Sequence, residues 1–246
     1  MKVVILAGGR PSTITDMQEG IPKPMVEIAG RPLIWHIMKS FAEHGFCEFI
    51  VCGGYKVELI KEYFLNYHYY ESDITIDLQN NQVLLHNKPE ENWKVTVLDT
   101  GMESTTAQRV SMVRDYIKED MFIVTYGDCV SDIEFDKMVD FHKKNQKIVT
   151  MAVAGTTGRN EALRIDGEGM LLGRAVGVEG AWTNACTYVM DRQVFAVLSK
   201  QSHLERQLMD KLVPLEELVT YKHYGFWMPV ETYRDRVQLE GMMKRG

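Results

Sequence analysis

Pro22-Lys23-Pro24 follows, after a loop, a hydrophobic run at residues 3–7 that ends in Gly8-Gly9. Glycines at the carboxyl end of a strand let backbone N–H groups come close to a phosphate or a base. The two prolines stiffen the segment that presents the Lys23 ammonium. Taken singly, the glycines also fit a plain strand-to-turn transition and Lys23 a solvated loop lysine; taken together, they read as a phosphate-binding element. A third group, Asp128, follows the apolar run 122–126 and Gly127. A carboxylate there suits a hard cation bridging phosphates, and it equally suits an ordinary turn.

These groups need a frame that holds them at one edge. Apolar runs alternate with amphipathic segments along the chain. Strands are expected at 3–7, 48–52, 74–78, 82–86, 96–99, 122–126, 149–154, 162–165 and 183–190. Helices are expected at 33–44, 56–67, 106–117, 136–144, 192–200 and 204–213, with a last one starting near Thr232. In the first helix Leu33, Ile34, Ile37 and Phe41 face inward, and Gly45 stops it. Asn80-Asn81 suits a hairpin turn. Val110 and Val113 point inward from the helix expected at 106–117. Strand–helix alternation predicts an α/β fold, a mostly parallel central sheet flanked by helices. In such sheets ligands sit beyond the carboxyl ends of the strands, where Gly8-Gly9 and Asp128 both fall.

The chain has 246 residues, 45% hydrophobic and 25% charged, the balance of a globular protein. One domain over residues 1–246 is expected. A formal net charge of −6 argues against a general nucleic-acid binder, which carries a basic excess. No run approaches 18 apolar residues, so no membrane span is expected, and the cytoplasm is the default compartment. Cys47, Cys52, Cys129 and Cys186 form no C-x-x-C pair and read as buried free thiols.

Leu6-Ala7-Gly8-Gly9, Pro22-Lys23-Pro24-Met25 and Gly30-Arg31-Pro32-Leu33 resemble the start of sugar-phosphate nucleotidyltransferases. Trp35-His36-Ile37-Met38-Lys39, Cys52-Gly53-Gly54-Tyr55-Lys56, Val97-Leu98-Asp99-Thr100-Gly101, Thr125-Tyr126-Gly127-Asp128 and Gly225-Phe226-Trp227-Met228-Pro229 are similar to the glucose-1-phosphate cytidylyltransferase branch. The resemblance runs in order over nearly the whole chain. It implies a Rossmann-like nucleotidyltransferase fold of the GT-A-like kind, CTP as nucleotide, a divalent metal (Mg²⁺), release of pyrophosphate and a homo-oligomer. Leu6, Ala7, Gly8 and Gly9 would approach the nucleotide. Arg109 matches an arginine that contacts it, Lys23 the lysine that serves its phosphates, and Asp128 the metal-binding aspartate. Asn184 matches an asparagine of the acceptor pocket. Glu231, in Pro229-Val230-Glu231-Thr232, stands where the family carries a second metal-binding aspartate; by itself it also reads as an acid near a helix N-terminus.

Three segments depart from the family. Proline follows Arg10 in the glycine-rich loop, and Thr13 replaces its catalytic arginine. Ala175 replaces the pocket lysine. Glu161, after Arg159, puts a carboxylate where the family has glycine. Arg10, in the same loop, and Arg174 are candidate substitutes for the lost cations. Two readings follow: a cytidylyltransferase with a changed acceptor (a phosphorylated amine, polyol or phosphonate in place of glucose 1-phosphate), or a weakly catalytic paralogue that binds nucleotide as a regulatory or structural subunit.

Overall fold

The computed structural model describes residues 1–9, 20–155, 162–167, 169–175, 182–199 and 203–244. Its first strand, β1 (Lys2–Ala7), is followed by a 3₁₀ turn at Lys23–Met25, a small ribbon of β2 (Glu27–Ile28) and β3 (Arg31–Pro32), and α1 (Leu33–Glu43). Next come β4 (Glu48–Gly53), α2 (Val57–Leu65), α3 (Tyr67–Glu71) and a hairpin of β5 (Ile74–Asp77) and β6 (Gln82–Leu85). The middle of the chain carries β7 (Lys94–Asp99), α4 (Thr106–Met112), β8 (Met121–Tyr126), β9 (Cys129–Ser131), α5 (Phe135–Asn145) and β10 (Val149–Gly155). It continues through β11 (Ala162–Ile165), β12 (Leu171–Ala175), β13 (Trp182–Asp191), α6 (Leu204–Leu212), β14 (Leu218–His223), β15 (Trp227–Pro229) and α7 (Tyr233–Met243).

Among the described residues, nine strands form one sheet in the order β12-β11-β13-β8-β1-β4-β7, with β10 pairing β13 and β14 off that path. The β8-β1-β4-β7 centre is parallel, and β13 runs antiparallel to β8. The expected mostly parallel centre is therefore present, inside a mixed sheet. Alternation along β1 explains why both faces are covered. Val3, Ile5 and Ala7 pack with Leu33, Ile37 and Phe41 of α1 and with α5 on one face. Val4 and Leu6 pack with Val110 of α4 and with Leu204 and Leu208 of α6 on the other. β1, buried from Val3 to Ala7, is therefore anchored in the core, and its glycine end opens to the cavity. Asn81 takes a left-handed φ of 52°, as the hairpin turn requires.

Three helices end differently from the sequence expectation. The segment predicted at 56–67 divides at Asn66, whose side chain donates to the Glu62 carbonyl at 2.9 Å and competes with the helical ladder. The segment predicted at 106–117 leaves the α form after Met112. There, i→i+3 bonds from Val113, Arg114 and Tyr116 tighten it into turns. The helix predicted at 192–200 is a 3₁₀ turn over Arg192–Ala196, and residue 200 lies outside the described residues. Among the described residues no helix is long and apolar enough to cross a membrane.

Candidate active site

The carboxyl ends of β1 and β8 open into a cavity of about 460 Å³. Leu6, Ala7, Gly8 and Gly9 form one wall, Lys23, Pro24, Gly127 and Asp128 a second, residues 102–106 with Arg109 a third, and Tyr126 and His203 close the end. The parallel register of β1 with β8, ending at Leu6 opposite Tyr126, brings the Gly127-Asp128 turn beside Gly8. The Gly127 N–H donates to the Leu6 carbonyl at 3.0 Å. Lys23 opens the 3₁₀ turn behind Pro22, with Met25 N–H on the Pro22 carbonyl at 2.8 Å and Pro24 buried beneath. This locally stiff turn aims the ammonium into the cavity, where Nζ lies 3.2 Å from Asp128 Oδ2. Both side chains remain about a quarter exposed, so the pair faces solvent and any ligand that enters.

Arg109 does something the sequence did not disclose. Its residue is 4% exposed. Nη1 donates to the Gly53 carbonyl at 3.1 Å and to the Thr100 hydroxyl, and Nη2 to the carbonyls of Gly8 at 2.5 Å and Met102 at 3.1 Å. One guanidinium therefore ties together the ends of β1, β4 and the loop after β7. Burial holds its pKa below the usual value. A Cβ on Gly8 would collide with that guanidinium, whereas one on Gly9 meets nothing within 4 Å. The two glycines thus differ: Gly8 makes room for Arg109, and Gly9 borders open cavity.

Asp128 and Glu231 arrive from distant sequence. β9 and β15 pair antiparallel with Pro229 opposite Cys129, and the Val230 N–H donates to the Asp128 carbonyl at 2.7 Å. Glu231 follows directly; its side chain is exposed and its N–H donates to Asp235 Oδ2 at 3.2 Å. The helix-start acid is Asp235, which forms the reciprocal cap with Thr232 ahead of α7. Among the described residues no group of three or more His, Cys, Asp or Glu is gathered for a metal. Asp128 lines the cavity, and Glu231 directly follows Val230, whose N–H is hydrogen-bonded to Asp128; carboxylate oxygens are the hard donors that Mg²⁺ takes alongside substrate phosphates.

Asn184 lies on β13, half-buried, donating to the Tyr188 hydroxyl at 2.6 Å and accepting from the Cys186 N–H at 2.9 Å. Cys129, beside Asp128, is buried; a side-chain hydrogen bond with Cys186, then desolvation, push its thiol well above the ordinary value. Arg10, Thr13, Arg159 and Glu161 lie outside the described residues, and Arg174 and Ala175 stand on β12 opposite Leu163 and Ala162.

Sequence reasoning did not include in the site the wall at 102–106, Tyr126 or the expected helix that becomes α6. The Tyr126 hydroxyl donates to Glu205 in the first turn of α6, and the Leu204 N–H donates to Thr106 Oγ1 at 2.8 Å. Burial pushes the Glu205 carboxyl above its ordinary value. The signal available was Asp99-Thr100-Gly101, quoted for its resemblance but not followed into the residues after it.

The sequence profile of the nucleotidyl transferase family matches residues 2–163. A glucose-1-phosphate cytidylyltransferase of Salmonella typhi is 39% identical over 249 residues, covering 100% of this chain and 97% of that protein. Among solved structures, HddC from Yersinia pseudotuberculosis superposes with a TM-score of 0.79 at 19% identity, covering 98% of this chain and 99% of its own. The inositol-1-phosphate CTP transferase from T. maritima gives 0.71 at 14%, covering 100% and 96%. The two structural likenesses confirm the fold, and the family match and full-length identity carry the classification: the chain belongs to the nucleotidyl transferase family and is a nucleotidyltransferase.

Proposed function

We propose that this protein transfers CMP from CTP to a small phosphorylated acceptor, a sugar 1-phosphate or a chemical relative of one, and releases pyrophosphate. The observation that supports it most is the Lys23–Asp128 pair held across from Gly8-Gly9 in one cavity. The Salmonella typhi relative, a glucose-1-phosphate cytidylyltransferase, supplies CTP as the nucleotide.

An acceptor phosphate oxygen attacks the α-phosphorus of CTP. The new P–O bond forms as the bond from the α-phosphorus to the bridging oxygen breaks, and pyrophosphate leaves with that electron pair. The attacking oxygen is already anionic, so alignment and charge neutralisation carry the catalysis rather than a strong base. Lys23 supplies a fixed positive charge beside the phosphates. Asp128, with Glu231 next to it, would hold Mg²⁺, which when bound offsets charge on the phosphates. Gly9 leaves room for the nucleotide, and Arg109 keeps the Gly8 turn in place without spending its charge on substrate. Asn184 orients the acceptor. Lys23, Asp128 and Glu231 persist together, which favours turnover over nucleotide binding alone.

The departures at Thr13, Ala175 and Glu161 bear on the acceptor. Two cations are replaced and one carboxylate is added, with Arg10, Arg159 and Arg174 as the remaining local positive charges. That balance favours an acceptor carrying a positive or hydroxyl-rich group over glucose 1-phosphate.

Thermal unfolding with CTP and Mg²⁺ tests the nucleotide assignment. A ligand of the folded state at about 100 times its Kd adds roughly 2.7 kcal/mol. A clear upward shift of Tm is expected; a flat response at millimolar CTP and Mg²⁺ overturns the assignment.

A further inference from the structure

The β5–β6 hairpin lies outside both packed faces of the main sheet. Among the described residues its two strands pair only with each other. Its own hydrogen bonds hold it from base to tip. At the base the Ser72 hydroxyl donates to the Asn87 carbonyl at 2.9 Å, and the Asp73 N–H donates to Asn87 Oδ1 at 2.7 Å. At the tip the Asp77 carboxylate accepts from the N–H groups of Gln79 and Asn80, each at 3.0 Å. The hairpin is thus a built arm, with a fixed register.

That register sets Ile74 opposite Leu85 and Ile76 opposite Val83, with Thr75 opposite Leu84 and Asp77 opposite Gln82. Alternate residues of a strand point to opposite faces. One face is therefore wholly apolar, formed by Ile74, Ile76, Val83 and Leu85. The other carries Thr75, Asp77 and Gln82 around Leu84, and the Thr75 hydroxyl meets His86 Nε2 there at 2.8 Å. Such alternation belongs to a ribbon with one face packed and one in water. Here the apolar face is uncovered: its four side chains are 40%, 56%, 51% and 38% exposed. A two-stranded ribbon alone in water is marginally stable, so this face calls for a cover.

We propose that this face is the docking surface for a second copy of the chain, with two arms stacked apolar face to apolar face about a two-fold axis. Leu78, 89% exposed at the tip, continues the row of Ile74 and Ile76. With it the face presents about 450 Å² of apolar surface, a size that marks an interaction site. Two stacked arms cover about 900 Å² before rim residues are counted, close to the roughly 1,000 Å² that a biological interface must clear. The face carries no charge, so like-charge repulsion between its side chains does not oppose the stack. Stacked ribbons lie about 10 Å apart, a distance at which Ile, Val and Leu interdigitate. A two-fold contact uses the same patch on both copies and leaves neither uncovered. No Lys or Arg occurs between Ser72 and Asn87, so the arm lacks the cations with which a surface segment holds anionic lipid.

The test is sedimentation equilibrium on the full chain at about 10 µM. The parent is expected at an even multiple of the 28.3 kDa chain mass. Ile76→Glu sets a carboxylate in the stack. It is expected at half the parent's mass, with self-association weakened at least about 100-fold, as for an unpaired buried charge. Gln82→Glu adds the same charge to the opposite face of the same arm and is expected to assemble like the parent. Both positions are exposed, so urea midpoints should match the parent's. Val83→Thr, nearly the same shape, keeps the face testable if Ile76→Glu folds poorly; it is expected to weaken assembly at least about tenfold. Mixing Ile76→Glu with Ile76→Lys is expected to restore the parent's mass. A monomeric parent, Ile76→Glu assembling like the parent, or Gln82→Glu disrupted equally overturns the proposal. A monomeric parent that sediments with phosphatidylglycerol vesicles also overturns it and assigns the face to a lipid surface. None of these measurements involves turnover, so they stand apart from the proposed reaction.

Discussion

The Lys23 ammonium lies 3.2 Å from an Asp128 carboxylate oxygen, although 105 residues separate them. Each side chain is about a quarter exposed, and pairs of that kind contribute about 0–1 kcal/mol to folding. The pair is therefore weak as a brace and well placed as a charged bracket for phosphates. Asp128→Asn keeps the shape and removes the charge. It is expected to reduce Mg²⁺-dependent transfer by about 100-fold, the scale seen when a preorganised electrostatic group is removed. Its Tm should move by no more than about 4 °C. Paired calorimetry and steady-state rates check this; an unchanged Mg²⁺ dependence returns Asp128 to the role of a turn residue.

Adjacent glycines should respond in opposite ways. Gly8→Ala forces a methyl group into the Arg109 guanidinium, and Gly9→Ala meets open space. Arg109 cannot yield without losing hydrogen bonds to Gly8, Gly53, Thr100 and Met102, and charged hydrogen bonds of this kind contribute about 1.5–3 kcal/mol each. Urea unfolding should show Gly8→Ala destabilised by about 2 kcal/mol or more, within the range for overpacking. Gly9→Ala should unfold like the parent and raise the KM for CTP. Equal stability of the two variants contradicts the assignment of Arg109 as the brace of this turn.

Glu205 gives a pH-dependent prediction. Its carboxyl is raised in the folded chain by burial, with its own main-chain hydrogen bond opposing more weakly. Its contribution is thus full below the ordinary carboxylate value and is lost as pH rises through the raised folded value. Glu205→Gln keeps an acceptor for the Tyr126 hydroxyl and removes the buried charge. In urea titrations the variant should be more stable than the parent at about pH 8, with the gap closing as pH falls toward the ordinary carboxylate range. A variant less stable than the parent at every pH contradicts burial as the governing cause.

The frame was legible because β1, β4 and β8 are continuous apolar runs, and because Leu33, Ile37 and Phe41 repeat at helical spacing; all of these are buried. Gly8-Gly9 and Asp128 were legible as residue types at strand ends and Lys23 as a lysine stiffened between prolines, and the cavity brings them together. Arg109 was expected at the nucleotide and lines the cavity, but its bracing role was not foreseen. Its acceptors are main-chain carbonyls from three segments, and a carbonyl leaves no trace in sequence. Tyr126 and Glu205 meet across 79 residues, a contact that local periodicity does not encode. Asn66 and Val113 ended helices early because a side-chain hydrogen bond and a tightened turn outweighed an otherwise continuous pattern.

Glucose 1-phosphate should be a weak acceptor. On the proposed reading, Thr13 and Ala175 stand where the family carries cations, and Glu161 stands where it carries glycine and would repel an anionic sugar phosphate. Phosphorylated amines, polyols and phosphonates compared with it at fixed CTP should include at least one better substrate. A kcat/KM for glucose 1-phosphate near 10⁴ M⁻¹s⁻¹ or above, roughly the lower edge of ordinary enzyme efficiency, contradicts the changed acceptor.

Pyrophosphate release, measured for each of the four NTPs against a panel of phosphorylated acceptors with Mg²⁺, tests the central claim most directly. The account predicts acceptor-dependent release that is fastest with CTP, requires Mg²⁺ and is lost in Asp128→Asn. No release with any pairing, while CTP still raises the melting temperature, would contradict it and leave a nucleotide-binding protein without transferase activity.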